Sequence, residues 1–381
     1  MKILAISHSC AVAVNQRLFI ELEAIPDVQV QLVAPANWQN EYSGEPFLPE
    51  AHPDATFPIL FAPVVRPGHV WQHAYTKIPV DKIKAFGPDI VYSTQEPWSL
   101  SNWQFRRLAR SLKIPYVFHT NQNLIKTLPP PFHQMEQAAY KDAALALAYS
   151  EEARQVMLQK GLKGQSAVAP YATNVTQFFP GKEQKRRDDW GLGQSIVVGY
   201  LGRFVSEKGL DLALEAVAPL IREGLDIRVC CVGTGGEQAN LEAQAATLGI
   251  TDRVHFPGGV AHDQAGAAMR CFDMLVLPSR TRPNWKEQFG RVLIEAWATG
   301  IPTIGSDSGE IPNLIRATGG GLIFREGDVA KFTEALRQLS IDAALRAKLG
   351  ESGRKAVEEH YTFPAVAAQL VRLFHGVLRT P

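Results

Sequence analysis

Residues 196–211 have the sequence Ile196-Val197-Val198-Gly199-Tyr200-Leu201-Gly202-Arg203-Phe204-Val205-Ser206-Glu207-Lys208-Gly209-Leu210-Asp211. The apolar run predicts a buried strand that ends in a glycine turn, and the residues after Gly209 predict a helix ending near Ile221. Arg203 and Lys208 then fall in the loop at the carboxyl end of the strand, where open α/β sheets bind ligands. Arginine offers a planar fork to phosphate oxygens and lysine a mobile point charge, so this loop could hold a diphosphate. An ordinary solvated turn is the alternative.

A second informative stretch follows another buried-strand pattern and has the sequence Glu287-Gln288-Phe289-Gly290-Arg291-Val292-Leu293-Ile294-Glu295-Ala296. Gly290 frees the backbone at a turn, and residues 291–298 predict a helix. Backbone N–H groups near Phe289, Gly290 and Arg291 would therefore point at an anion.

This second stretch places one carboxylate before the helix and another inside it. Glu287 precedes the helix and Glu295 lies about two turns into it, so a rise of ~1.5 Å per residue separates them by on the order of 12 Å. Glycosidase carboxylates stand ~5 to 9.5 Å apart, so these two should not flank one scissile bond. The alternative is a solvated pair stabilised by the helix dipole.

Together the two stretches resemble the family-4 retaining glycosyltransferases of GT-B fold. The resemblance spans nearly the whole chain, and the C-terminal half carries most of its weight. Five further motifs support it in order and spacing: Val229 to Gly236 with its Gly-Thr-Gly-Gly turn, Arg253-Val254-His255-Phe256-Pro257-Gly258, Asp273-Met274-Leu275-Val276-Leu277-Pro278-Ser279, Gly300-Ile301-Pro302-Thr303-Ile304, and Ser308-Gly309-Glu310-Ile311-Pro312.

The resemblance implies an α/β fold with two Rossmann-like parallel-sheet domains facing a cleft and a C-terminal helix that crosses back to the first domain. The alternation of predicted strands and helices agrees with it. The expected divisions are an acceptor-side domain, a linker, a nucleotide-sugar-binding domain and the returning helix, at residues 1–180, 181–195, 196–360 and 361–381. The linker rests on Pro180, Gly181 and the charge run from Lys182 to Asp189.

The resemblance also implies roles for individual residues. Arg203 and Lys208 would stabilise the departing diphosphate, Glu287 would contact the donor sugar, and Glu295 would hold the ribose hydroxyls. With His119, which would orient the sugar from the first domain, Glu287, Arg203 and Lys208 form the implied catalytic set. The implied donor-binding residues, including the backbone that would line the base, are Arg203, Lys208, Gly258, Val260, Glu287, Phe289, Gly290, Arg291 and Glu295.

Two residues of the first half stand at the ends of predicted strands. His119 follows the strand pattern Tyr116-Val117-Phe118, and its alternative role is that of a hydrogen-bonded turn residue. Glu96 follows residues 90–94 and could bind acceptor hydroxyls, or it could be a surface-loop acid.

The composition agrees with a globular enzyme. The 381 residues are 46% hydrophobic and 20% charged, and 39 basic against 38 acidic residues give a net charge of +1. Nucleic-acid binding through a basic excess is therefore disfavoured. The four cysteines, which lack metal-ligand spacing, are expected to be reduced core residues.

No Asp-x-Asp cluster occurs where a donor would sit, so we expect no metal and no cofactor. No apolar stretch reaches spanning length, which favours the cytoplasm. The proline-rich segment 121–135 leaves open a peripheral contact with the inner face of the membrane, although a loop packed on its own domain is favoured.

The expected activity is retaining, metal-independent transfer of a sugar, a hexose being favoured, from a nucleotide-sugar to an acceptor hydroxyl in polysaccharide or glycolipid biosynthesis. A UDP-sugar is favoured over a GDP-sugar, and the acceptor would be a saccharide or a lipid-linked saccharide. A nucleotide-sugar epimerase of the same fold and an inactive binding partner of a glycosyltransferase complex are the alternatives. The basic, tryptophan-bearing loop 280–286 either tunes donor or acceptor choice or is a surface insertion.

Overall fold

The computed structural model describes residues 1–39 and 44–379. The chain divides into two compact units: unit 1 is Met1–Pro170 with Phe363–Pro381, and unit 2 is Tyr171–Thr362. Each unit is built on a parallel β-sheet with helices in its crossover connections. The predicted pair of Rossmann-like domains is confirmed.

The strands of the described residues are short, as is usual for buried parallel strands. They are β1 Lys2–Ile6, β2 Gln29–Pro35, β3 Trp38–Gln39, β4 Pro46–Phe47, β5 Ile59–Ala62, β6 Val64–Val65, β7 Ala74–Tyr75, β8 Ile90–Ser93, β9 Tyr116–Thr120, β10 Leu145–Ala148, β11 Ser166–Val168, β12 Ile196–Leu201, β13 Ile227–Val232, β14 Val254–Gly258, β15 Met274–Leu277, β16 Thr303–Ser306 and β17 Gly321–Phe324.

The helices alternate with these strands along the chain. The α-helices are α1 Arg17–Glu23, α2 Val80–Phe86, α3 Leu100–Leu112, α4 Phe132–Asp142, α5 Glu151–Gln159, α6 Gln184–Asp189, α7 Leu210–Arg222, α8 Gln238–Leu248, α9 Ala265–Met269, α10 Arg291–Ala298, α11 Ile311–Thr318, α12 Val329–Ile341, α13 Ala343–His360 and α14 Phe363–Arg379. Short 3-10 helices lie at Ser9–Ala11, Ala13–Gln16, Ser206–Lys208, Thr251–Arg253 and His262–Gln264.

The sheet of unit 1 has the strand order β11-β10-β9-β8-β1-β2-β5. The connections from β1 lead to one side and those from β8 lead to the other, so the order reverses between these two neighbours. Their register pairs Ile6 with Ser93. The loops that follow β1 and β8 therefore start side by side at the carboxyl edge of the sheet.

The sheet of unit 2 has the order β14-β13-β12-β15-β16-β17 and reverses between β12 and β15. Its strands are apolar because helices cover both faces. Gly199 in β12 is required by packing, since a Cβ atom there would lie 2.1 Å from the Phe272 ring. The predicted strand of residues 196–201 and the helix after Gly209 are both present.

The division between the units differs from the predicted boundary. Residues 171–195 belong to unit 2, and the segment 181–195 is anchored to that unit by a few buried residues although most of it is exposed. Arg187, only 4% exposed, donates to the carbonyl of Ser195 at 2.7 Å and pairs with Asp273 at 3.1 Å. The charge run that predicted solvent exposure contains one member of this buried ion pair, Arg187, and spacing along the chain cannot show a partner so distant in sequence.

The C-terminal helix α14 packs on unit 1, as predicted. Phe374 is fully buried and its ring centroid lies 5.2 Å from that of Tyr92. Gln369 donates from Nε2 to the carbonyl of Val168 at 2.9 Å. The same helix contacts α1, so an apolar stripe at helical spacing covers the first sheet.

Two further expectations concern the state of the cysteines and the presence of membrane-spanning helices. The four cysteines are buried and unpaired, and burial raises the pKa of the Cys10 thiol to about 12. Within residues 1–39 and 44–379, no helix combines the length and the apolar character that crossing a bilayer requires.

Candidate active site

The strand reversal in unit 2 brings together two side chains that the sequence predicts to bind a donor. Lys208 follows β12, Glu287 follows β15, and Lys208 Nζ donates to Glu287 Oε2 at 2.6 Å. Open α/β sheets bind ligands at such a point, outside the carboxyl ends of the strands. This ion pair is the centre of the candidate site.

Lys208 is positioned by a tight turn that only glycine permits. It ends a short 3-10 helix, and Gly209 then adopts a left-handed conformation with φ of 67°. A Cβ atom at Gly209 would lie 2.1 Å from the carbonyl oxygen of Pro278. The loop after β12 therefore packs directly on the backbone of the loop after β15.

Glu287 is held from two directions. Ser279, fully buried at the end of β15, donates from Oγ to Glu287 Oε2 at 2.8 Å. Gly309 (φ 58°) packs so closely that a Cβ atom there would lie 1.9 Å from the Glu287 carbonyl oxygen, which also accepts from the Glu310 N–H at 3.2 Å. Glu287 is 7% exposed, so the solvated alternative does not describe it.

The electrostatics of the pair follow from its burial. The side chains of Lys208 and Glu287 are 17% and 9% exposed, so their attraction is screened less than that of a surface pair. Lysine carries three N–H donors, and Glu287 accepts one of them. Burial raises the pKa of nearby Tyr200, and the charges of Cys231 and Glu287 raise it further.

Helix α10 is present where the sequence predicts a helix, and the binding of an anion at its start stays a prediction. It begins at Arg291, and Gly290 caps it with φ of 81° and no side-chain cap. The first N–H groups of a helix have no intrahelical acceptor, and the helix dipole favours negative charge there. Phe289 is buried, with its ring centroid 5.3 Å from that of Tyr171. Glu295 lies one turn after Arg291, with 3.9 Å between Oε1 and Nη2.

The remaining donor-side residues lie on neighbouring loops of unit 2. Arg203 is exposed on the loop after β12, and its carbonyl accepts from Tyr200 Oη at 2.7 Å. Gly258 ends β14 in a left-handed conformation, and its carbonyl accepts from the Gly233 N–H at 2.9 Å. Val260 packs against the apolar core.

His119 lies in the interior of unit 1, and its contact with a donor sugar stays a prediction. Its Nδ1 is 2.8 Å from Tyr92 Oη, its Nε2 is 2.9 Å from the Ala169 carbonyl, and its ring stacks on Tyr149 at 3.6 Å. Burial lowers its pKa to about 3, so the ring is neutral at physiological pH. A neutral imidazole has one donor and one acceptor, and both are used within unit 1. The hydrogen-bonded alternative describes it.

We expect His119→Ala to destabilise unit 1 by about 2–5 kcal/mol, because it removes a buried ring and its hydrogen bonds with Tyr92 and the Ala169 carbonyl. His119→Gln, which keeps a donor and an acceptor, should lose less. Denaturant unfolding and titration with nucleoside diphosphate would test this. Weakened diphosphate binding at unchanged stability would support the donor role.

Glu96 ties two loops of unit 1 together. Its Oε2 accepts from Thr120 Oγ1, and its Oε1 accepts from the Asn121 N–H at 3.0 Å. Burial raises the pKa of Glu96 to about 7, and these two hydrogen bonds oppose the rise. Both carboxylate oxygens thus accept hydrogen bonds from the last residue of β9 and the residue after it, and a contact with an acceptor stays a prediction.

The Glu96 shift predicts a pH dependence of stability. Its pKa is higher in the folded than in the unfolded state, so between pH ~4.5 and ~7 the folded state holds more protons and stability falls as pH rises. Glu96→Gln should remove on the order of 2 kcal/mol of this fall. Unfolding at pH 5 and pH 8 would measure it, with the exposed Asp81→Asn as the control. Equal pH slopes in wild type and Glu96→Gln would contradict the assignment.

Two residues of the site were not assigned a role from the sequence. Ser279 binds Glu287, and the Trp285 ring centroid lies 5.1 Å from Lys208 Nζ. Ser279 stands at the carboxyl end of a buried strand, which is the signal that could have identified it. Across residues 1–39 and 44–379, no group of three or more His, Cys, Asp or Glu side chains could hold a metal ion.

Comparison with known proteins shows similarity to glycosyltransferases. Residues 182–356 match the family model of glycosyl transferases group 1. The Anabaena protein Alr3699/HepE, solved in complex with UDP, superposes with a TM-score of 0.75 at 18% identity, covering 99% of this chain and 100% of that chain. A likeness at this identity shows the fold.

Sequence relatives match over part of their length. Alpha-D-kanosaminyltransferase of Streptomyces kanamyceticus is 26% identical over 247 residues, covering 64% of this chain and 63% of the relative. GDP-mannose-dependent alpha-(1-6)-phosphatidylinositol monomannoside mannosyltransferase of Mycobacterium tuberculosis (strain ATCC 25618 / H37Rv) is 32% identical over 200 residues, covering 52% of each. The chain thus spans between half and two thirds of these relatives. The family match lies within unit 2 and shows a similarity to glycosyl transferases group 1 over residues 182–356.

Proposed function

We propose that the protein transfers a hexose from a nucleotide-sugar to an acceptor hydroxyl, with retention of anomeric configuration and without a metal ion. The observation that carries the proposal is the Lys208–Glu287 pair at the strand reversal of unit 2, beside the start of α10. A cation, a carboxylate and a helix N-terminus at one point suit a phosphorylated sugar.

In the proposed reaction, the bond between the anomeric carbon and the diphosphate oxygen breaks, and a bond to the acceptor oxygen forms. The proton of the acceptor hydroxyl passes to the departing diphosphate. Lys208, Arg203 and the N–H groups at Gly290 and Arg291 stabilise the negative charge that grows on that diphosphate. Glu287 accepts hydrogen bonds from the sugar hydroxyls. NMR of the product's anomeric proton tests retention.

The nucleotide base of the donor and the acceptor are proposed by analogy with similar proteins. The HepE neighbour was solved with UDP, whereas the mycobacterial relative is named for GDP-mannose. We favour a UDP-sugar, with guanosine as the competing base, and titration with both nucleotides decides between them. We propose a saccharide or lipid-linked saccharide as acceptor, within glycan or glycolipid biosynthesis. In this scheme Glu295 holds the ribose hydroxyls.

Neutralising Glu287 should separate diphosphate binding from transfer. Glu287→Gln removes the carboxylate that holds Lys208 and repels phosphate, so we expect nucleoside diphosphate to bind up to about tenfold more tightly, equivalent to ~1.4 kcal/mol. Transfer should fall at least ~100-fold, because the sugar hydroxyls lose a charged carboxylate as their hydrogen-bond acceptor. Calorimetric titration and steady-state transfer measure the two effects.

Two companion variants sharpen this test. Lys208→Met should weaken nucleoside diphosphate binding by roughly tenfold or more, since a charged hydrogen bond contributes ~1.5–3 kcal/mol. Combining it with Glu287→Gln leaves no buried unpaired charge, so the double variant separates loss of binding from loss of fold. Glu295→Gln is the control within the site and should mainly raise the donor's KM. Unchanged diphosphate affinity in Lys208→Met would falsify the proposal.

We also propose a cytoplasmic enzyme that contacts the inner face of a membrane peripherally. The supporting observation is the apolar segment before α4, where Ile125 is 64% exposed. Ile125→Asp should reduce co-sedimentation with anionic phospholipid vesicles severalfold, because it places a negative charge at the apolar contact. The exposed Leu378→Asp serves as the control. Equal sedimentation of wild type and Ile125→Asp would reject the membrane contact.

A further inference from the structure

We propose that Trp285 is a positioning residue for Lys208. Residues 280–286, called the strap below, would hold the indole ring against the Lys208 ammonium so that the ammonium can exchange Glu287 for a phosphate. The inference rests on the proposed function, because it concerns the diphosphate-binding lysine. It assigns a role to a loop for which the sequence leaves two interpretations open, a ligand-binding loop or a surface insertion.

The first observation is the position of the ring. Lys208 Nζ lies 5.1 Å from the centroid of the Trp285 ring, and tryptophan attracts a cation within about 6 Å of its centroid. The same ammonium donates to Glu287 at 2.6 Å. The face of the ring lies beside the ammonium and accepts no conventional hydrogen bond from it. Lys208 is therefore held on one side without using all of its donors.

The second observation is that the strap fixes Trp285 through a closed turn. The Arg282 N–H donates to the Trp285 carbonyl at 2.6 Å, and the Trp285 N–H donates to the Arg282 carbonyl at 3.2 Å. Pro283 and Asn284 are the central residues of this turn, and both are favoured in turns because of their backbone preferences. The backbone of Trp285 is thus ordered before a ligand arrives.

The third observation is that the start of the strap is anchored to the rest of unit 2. The Arg280 N–H donates to the Glu207 carbonyl at 2.8 Å, directly beside Lys208 in sequence. The Arg280 guanidinium pairs with Asp211 at 2.5 Å, and the Thr281 N–H donates to Glu326 Oε1 at 2.6 Å. The start of the strap is therefore attached to the turn that carries Lys208.

These contacts explain how the lysine could change partners at low cost. A lysine side chain that leaves a carboxylate for a phosphate normally becomes mobile and solvated in between. A preorganised ring keeps the ammonium in place during the exchange, so less side-chain freedom is lost when the phosphate binds. Trp285 then contributes to diphosphate affinity only through Lys208.

The test is a double-variant cycle read by calorimetric titration with UDP and GDP. Trp285→Ala should weaken binding between about twofold and thirtyfold, and Trp285→Phe, which keeps a weaker ring face, by less. In the Lys208→Met background the same Trp285→Ala change should have no further effect. Trp190→Ala is the matched control, because it removes another indole of unit 2 that lies 5.5 Å from a cation, Arg186.

The outcomes separate the two proposals. If Lys208→Met weakens binding but Trp285→Ala does not, the strap inference is wrong and the proposed function stands. An equal loss from Trp285→Ala with and without Lys208 would also overturn the inference, since the ring would then act independently of the lysine. If Lys208→Met itself leaves affinity unchanged, the proposed function fails and the inference fails with it.

Discussion

The ion pair between Lys208 and Glu287 is the contact on which the candidate site depends, and it exists because of strand order. The two residues are 79 positions apart in sequence, but β12 and β15 are neighbours in the sheet. A buried ion pair is a poor source of stability, because removing both charges from water offsets much of their attraction. The structure therefore needs other contacts to hold the two loops, and the pair is free to serve binding.

Those other contacts are made by backbone. At Gly209 and Gly309 a side chain would collide with the carbonyl oxygens of Pro278 and Glu287, so each loop packs on its neighbour without intervening side chains. Such packing is stiff, and it fixes the backbone positions of Lys208 and Glu287. It does not fix the partner that each side chain binds. The shape of the site can thus persist when the ammonium exchanges a carboxylate for a phosphate.

The sequence predicts local features of this site well and long-range ones poorly. The strand, glycine turn and helix around Lys208 follow from the hydrophobic period and from glycine, which act over neighbouring residues. Patterns over neighbouring residues do not reveal buried partners that are distant in sequence. The resemblance implied a donor contact for His119, whereas its partners Tyr92 and Ala169 come from distant segments that the sequence pattern does not show. Arg187 was assigned to a solvated linker for the same reason, since its partner Asp273 lies 86 residues away.

At the same topological position, unit 2 carries an ion pair and unit 1 carries uncharged side chains. At the β1–β8 reversal of unit 1, His8 Nδ1 and Gln95 Oε1 lie 2.8 Å apart, in the place that Lys208 and Glu287 occupy in unit 2. Burial lowers the pKa of His8 to about 4, and burial together with the charge of His8 lowers that of His73 to about 4, so both rings are neutral at pH 7. A diphosphate requires a cation, whereas an uncharged hydroxyl group requires only neutral donors and acceptors. The contrast between the two reversals supports the proposed binding of the charged donor by unit 2, and the binding of the acceptor by unit 1 stays a prediction.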